Sequence, residues 1–166
     1  MIRRPVPAMP RMAARPVQSG VGLIEVLIAV LVLSIAFLGI AALQAMSLST
    51  NNSAMARSMA TIASYSILDA MRADIGSARS GAYNTTVVAN ACPAGSGSLA
   101  SAQLSQWCGS QLGNKSLGAV ASTTGKISCS AVGTASADCT ITITFDDSRA
   151  GTGGSSTQQV VTRAML

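Results

Sequence analysis

The chain has 166 residues, 49% hydrophobic but only 3% aromatic, with eleven Lys or Arg against six Asp or Glu and no histidine. That length allows one modest domain plus a helix, with a core built from Val, Ile, Leu, Met and Ala. The formal charge of +5 does not point to nucleic acid. Four of the eleven basic residues fall in the first twenty positions, and the rest of the chain carries seven basic against six acidic residues, a formal +1, so no basic stripe remains to track a phosphate backbone. There is no G-x-S-x-G elbow, no phosphate loop and no charged residue between Glu25 and Arg57. Nucleophile, base and metal constellations are hard to assemble from what is left, and neither a catalytic residue nor a cofactor is expected.

The first element is a leader, residues 1–20. It is basic (Arg3, Arg4, Arg11, Arg15), broken by prolines, free of acids, and ends in Ser19-Gly20. A secretory signal has its small-residue cleavage site after the apolar region; here the small residue precedes it. Cleavage at Gly20 therefore leaves the apolar segment in the mature chain, with a new amino terminus close to Glu25. The arginines hold that end in the cytoplasm by the positive-inside bias. Internal methionines at Met9 and Met12 offer alternative starts, the latter with a shorter leader.

The second element is the run Val26 to Leu43, whose only non-aliphatic members are Ser34, Phe37 and Gly39. At roughly 1.5 Å per residue it covers about 27 Å, close to the roughly 30 Å of a hydrocarbon core. Glu25 stands at its head. An acidic side chain costs about 2.5–3.5 kcal/mol near the centre of a membrane helix, less at its end, and marks a functional partner that should be a cation. A single-pass anchor with an incidental glutamate is the plainer alternative.

Gly20 followed by Val-Gly-Leu-Ile-Glu-Val and a long aliphatic helix resembles the class III signal of type IV pilins and type II secretion pseudopilins. The resemblance implies that a prepilin peptidase cuts after Gly20, that Val21 becomes the N-methylated terminus, and that Glu25 serves subunit assembly. Val21 stands where major pilins usually have Phe, and Gly22 where they commonly have Thr, which points away from the bulk subunit.

Helical spacing continues beyond the apolar run. Met55, Met59, Ile62, Ala63, Ile67, Ala70 and Met71 repeat as a stripe, and one helix is expected from about Leu23 to about Asp74, stopped by Gly76 as a C-cap. From Ser77 to Gly125 the chain is Ser/Gly/Ala/Asn/Thr-rich; only Ser101 to Leu112 reads as helical, with Leu104, Trp107 and Leu112 as buried candidates. Trp107 reads as a core plug. Lys126 to Ser130 and Cys139 to Phe145 read as strands, the second alternating Cys/Ile/Ile/Phe with threonine. The loop Ala131 to Asp138 closes a hairpin, and Gln158 to Arg163 supplies a third strand. Asp146-Asp147 reads as a solvated turn, too poor in oxygen ligands for calcium. The fold class is α+β, pilin-like: a long N-terminal helix packed on a small antiparallel sheet. Its segments are a leader 1–20, a membrane and assembly half-helix 21–43, an amphipathic half 44–75 and a periplasmic head 76–166.

Four cysteines, Cys92, Cys108, Cys129 and Cys139, lie beyond the membrane segment, as suits disulfides in an oxidising compartment. Of three possible pairings, Cys92 with Cys108 and Cys129 with Cys139 close the shortest segments. Zinc is disfavoured by the absence of histidine and of C-x-x-C.

Ala70-Met71-Arg72-Ala73-Asp74, the Gln106-Trp107 pair, and Cys139-Thr-Ile-Thr-Ile-Thr-Phe145 before Asp146-Asp147 resemble the minor pilin family PilV. That likeness implies a subunit that is incorporated into type IV pili and primes their assembly, serving twitching and adhesion. It would sit in the inner membrane with its head in the periplasm, then in the pilus, at the tip in the family's usual arrangement. Its implied partners are the prepilin peptidase, other minor pilins, the major pilin, a tip adhesin, the inner-membrane assembly platform and membrane lipid, with no direct nucleic-acid binding. A minor pseudopilin of a type II secretion system shares the same helix logic, and a non-polymerising membrane-anchored binding module would show no processing at Gly20.

Overall fold

A computed structural model describes residues 20–113, 117 and 120–166. The leader arginines and the alternative starts lie outside the described residues. The chain divides into two compact units, the first ending at Ala41 and the second running from Ala42 to Leu166. Helix α1 is Leu23–Ala73, and its first residues up to Ala41 make up the described part of the first unit beyond Gly20, Val21 and Gly22.

In the second unit, α1 is followed by a short helix α2 (Ile75–Arg79), strand β1 (Thr85–Val88), helix α3 (Leu99–Trp107), and strands β2 (Thr124–Val132), β3 (Ser136–Phe145) and β4 (Gln158–Met165). The four strands form one antiparallel sheet in the order β1-β2-β3-β4. Strict alternation in β3 sends Ala137, Cys139, Ile141, Ile143 and Phe145 inward, every one of them buried, while the threonines between them stay half-buried on the other face. That is the period-2 signature of a sheet with one covered face. The covering residues come from α1: Ala56, Ala60, Ala63, Ile67, Leu68 and Met71 share one core with the inward strand residues, with Trp107, Leu112 and Tyr83 closing it.

The buried stripe differs from the expected one at two positions. Met55 and Ile62 are more than half exposed, while Ser53, Ala56 and Ala60 are buried in their place. The sheet selects the side of the helix with the smallest side chains, and a pattern read from hydrophobicity alone favours the larger ones.

The expected helix stop at Gly76 is also corrected. The break falls at Asp74, and Gly76 lies inside α2 with open space around it. The chain turns at Gly81 instead, where φ is +78°. There Ala82 N–H bonds the Ser77 carbonyl and Gly81 N–H the Ala78 carbonyl, the paired bonds of a Schellman C-cap.

Strand β1 lies in a stretch read as irregular. Its four residues are too few to show a period, and it exists because Thr85 to Val88 pair with β2. The hairpin between β2 and β3 is tighter than expected: the strands run on to Val132 and from Ser136, leaving three residues with Gly133 at φ +58°. Helix α3 begins at Leu99, capped by Ser98, whose hydroxyl accepts from Ser101 N–H at 3.1 Å. It continues through Trp107 into one wider π turn, Cys108–Leu112, closed by Gly113 N–H on the Cys108 carbonyl at 2.9 Å.

Candidate functional site: the N-terminal junction and the head that carries it

At the start of α1 the backbone leaves an irregular Gly20-Val21-Gly22 and closes its first turn on the Gly22 carbonyl, which accepts from Glu25 N–H (3.0 Å) and Val26 N–H (3.2 Å). Glu25 thus lies in the first turn, the only acid there. A carboxylate is favoured at that end by the unpaired N–H groups and the helix dipole. Among the described residues the Glu25 carboxylate has no hydrogen-bond or ion-pair partner. Around it every side chain from Val21 to Leu48 is exposed. The helix contains an eighteen-residue window of mean hydropathy 3.0, none of it buried, and is long and apolar enough to cross a membrane. Ser34, the polar residue in mid-run, donates to the Val30 carbonyl at 2.7 Å, which satisfies its hydroxyl inside the helix.

Nothing in the fold requires glycine at position 20. Among the described residues a Cβ added there meets no atom within 4 Å, and the backbone is not in the left-handed region. Val21 is 70% exposed. Residues 15–41 match the prokaryotic N-terminal methylation motif. That motif is typical of type IV pilins and pseudopilins, and it implies processing by a prepilin peptidase and assembly with other components of such a system. It covers the junction and the apolar run as far as Ala41, and no part of the head. No curated protein and no solved structure matches the chain.

In the second unit, two disulfides link the head. Cys92 bonds Cys108 and Cys129 bonds Cys139, the two local pairings favoured by spacing. The second joins residues directly opposite each other on β2 and β3, with Cα atoms 4.1 Å apart. The Cys129 backbone faces away from β3, and Asn84 completes it: its side-chain amide donates to the Cys129 carbonyl at 2.9 Å and accepts from Cys129 N–H at 2.6 Å. Asn84 thereby extends the pairing of β1 with β2 by one step.

Trp107 is 3% exposed, and its indole N–H donates to the Ala63 carbonyl of α1 at 2.8 Å. It is a core plug with its one polar atom satisfied. At the break after α1, the buried Tyr83 hydroxyl lies between the Asp74 carboxylate (3.2 Å) and the side-chain oxygen of Gln103. Burial, then the neighbouring Asp74 charge, push the Tyr83 phenol up to about 12.

Asp147 overturns the solvated-turn reading. It is 6% exposed and accepts from Ser53 Oγ at 2.6 Å, with the Arg57 guanidinium 3.8 Å away. Beside it Ser49 Oγ donates to the Arg149 carbonyl at 2.5 Å. The acidic pair therefore splits by role: Asp147 ties the turn after β3 onto α1, while Asp146 stays local and accepts from Ser148 N–H at 2.9 Å, which lowers its carboxyl below the ordinary range. A Ser or Asp inside a helix or turn gives no sign in sequence that it faces another across 94 positions. Among the described residues no three of His, Cys, Asp and Glu converge as metal ligands would.

Proposed function

We propose that this chain is a minor pilin, cut after Gly20, methylated on Val21 and docked into a type IV pilus through Glu25. One observation carries the reading: a carboxylate without a partner among the described residues heads an exposed apolar helix that it would be costly to bury unpaired. The amine released at Val21 of a neighbouring subunit is the cation this carboxylate lacks. Pairing the two lets both helices leave the membrane with neither charge isolated in an apolar interior. Truncating one partner of such a buried pair costs about 3–5 kcal/mol.

The glycine at position 20 supports the processing step, since the chain's own packing makes no demand for it. The exposed Leu48, Met55 and Ile62, spaced by sevens along the second half of α1, offer further surface to neighbouring helices. In this reading residues 1–20 are removed, 21–43 anchor and then assemble, 44–75 couple the helix to the head, and 76–166 face the periplasm and later the fibre surface. The likeness to the PilV family and the residues Val21 and Gly22 favour a subunit that nucleates fibres over one that builds the shaft. The subunit would act at the tip, beside other minor pilins and an adhesin, with the major pilin added beneath.

Deleting the gene should leave few fibres, still made of the major pilin, and blocking retraction should restore some. Quantitative proteomics of purified fibres should find this chain far below the most abundant pilin. Equal stoichiometry would overturn the minor role, and normal fibre number in the deletion strain would overturn the priming role.

A further inference from the structure

The sheet ends on β1, and one side of that strand is unused. Alternation of the pairing fixes which groups face out. Cys129 turns its N–H and carbonyl toward Asn84, and Ala89 N–H bonds the Thr123 carbonyl at 3.0 Å. The residues of β1 in step with Ala89, Thr85 and Val87, therefore exchange bonds with Ile127 and Gly125. Thr86 points its N–H and carbonyl the other way. No described residue bonds them, and Thr86 is exposed.

A cleft of about 420 Å³ runs along this edge, between β1 on one side and Pro93 and the first turns of α3 on the other. Among its polar side chains, Ser98 accepts from Ser101 N–H, Ser101 donates to the Ala94 carbonyl at 3.1 Å and the Asn84 amide is spent on Cys129, which leaves the Thr85 and Thr86 hydroxyls of β1 itself. No charged and no aromatic residue lines it. An anion thus finds no counter-charge there, and a nucleotide base or sugar no ring to stack on. What remains on offer is a strand edge, with Val87 and Leu104 as apolar contacts. The Cys92–Cys108 bond ties the Pro93 loop to the end of α3 and holds the cleft's far wall in place, so little ordering is needed on binding.

We infer that this cleft takes an extended, uncharged polypeptide segment, added as a strand on the free edge of β1. Backbone bonds to Thr86 supply register, and small or β-branched side chains fit the walls. About four residues, spanning about 13 Å, match the length of β1. The neutral lining selects against charged segments, which would be desolvated without a counter-charge. This property belongs to the head and holds whatever assembly the chain enters.

The test uses the full mature chain in detergent micelles and the peptide acetyl-Thr-Val-Thr-Val-Thr-amide. Saturable binding with slowed amide exchange at Thr86 is expected, weakened at least about tenfold when alternate peptide nitrogens are methylated or both valines are replaced by glutamate. Thr86→Pro should abolish binding with Trp107 fluorescence unchanged, because the nitrogen it blocks faces outward. Should that variant lose its fold, Ala91→Phe, which fills the cleft from its rim, must abolish binding instead. Absence of saturable binding, equal affinity for the methylated peptide, or binding indifferent to the cleft variant that folds would overturn the inference.

Discussion

Gly125 in β2 is the position where a single methyl group meets the most resistance. A Cβ there falls 2.7 Å from Leu112 Cδ1 and 2.8 Å from Trp107 Cζ3, and closer still to Trp107 Cη2. Neither neighbour can give way cheaply, since Leu112 is fully buried and the Trp107 indole is held by its bond to the Ala63 carbonyl. Gly125→Ala should therefore destabilise the head by about 1–3 kcal/mol, the usual range for overpacking. Trp107 is the only tryptophan, so its fluorescence reports the transition directly. With a urea slope of about 1–3 kcal/mol per molar, the midpoint should fall by roughly 1 M. Gly76→Ala is the internal control, as its Cβ meets nothing inside α2, and should gain about 0.5–1 kcal/mol. Trp107→Phe removes the ring atoms that clash, so by circular dichroism the double variant should lose less than the sum of the singles. An unchanged midpoint for Gly125→Ala, or strict additivity with Trp107→Phe, would refute the close packing of β2 on α3.

Asp147→Ala leaves the Ser53 hydroxyl without its acceptor and should cost about 1–3 kcal/mol in urea melts, whereas Asp147→Asn, which keeps an acceptor, should cost less. Cys129→Ser with Cys139→Ser should cost about 2–5 kcal/mol and lower periplasmic abundance, read by immunoblot against a strain carrying the intact pair. Because the Tyr83 phenol is raised in the folded state, the stability it contributes is complete below about 10 and is lost as pH climbs from there through about 12. Tyr83→Phe should flatten that part of the stability-against-pH curve, and an equally steep decline in the variant would contradict the assignment.

The elements with long, regular patterns were legible in the residues themselves. β3 announces itself by four inward positions from Cys139 to Phe145 with three threonines between them, and the apolar run of α1 by its length. The Cys129–Cys139 pair follows from the same hairpin. What stayed hidden depends on contacts across the chain. β1 is four residues whose strand character comes from β2, the helix stops one step early because Asp74 meets Tyr83, and Asp147 is buried only because Ser53 and Arg57 stand opposite it. At the junction the reverse holds. Gly20, Val21 and Glu25 stand out in sequence, whereas among the described residues their side chains make no contact that explains them.

The most direct test of the account is the mass of the N-terminal peptide from fibres sheared off the producing bacterium. The peptide should begin at Val21 and be heavier by one methyl group on its terminal nitrogen, and it should vanish from the fibre fraction in Gly20→Asp and Glu25→Ala strains while the Glu25→Ala head still folds. A mature chain that retains residues upstream of Val21, or one absent from fibres altogether, would contradict it.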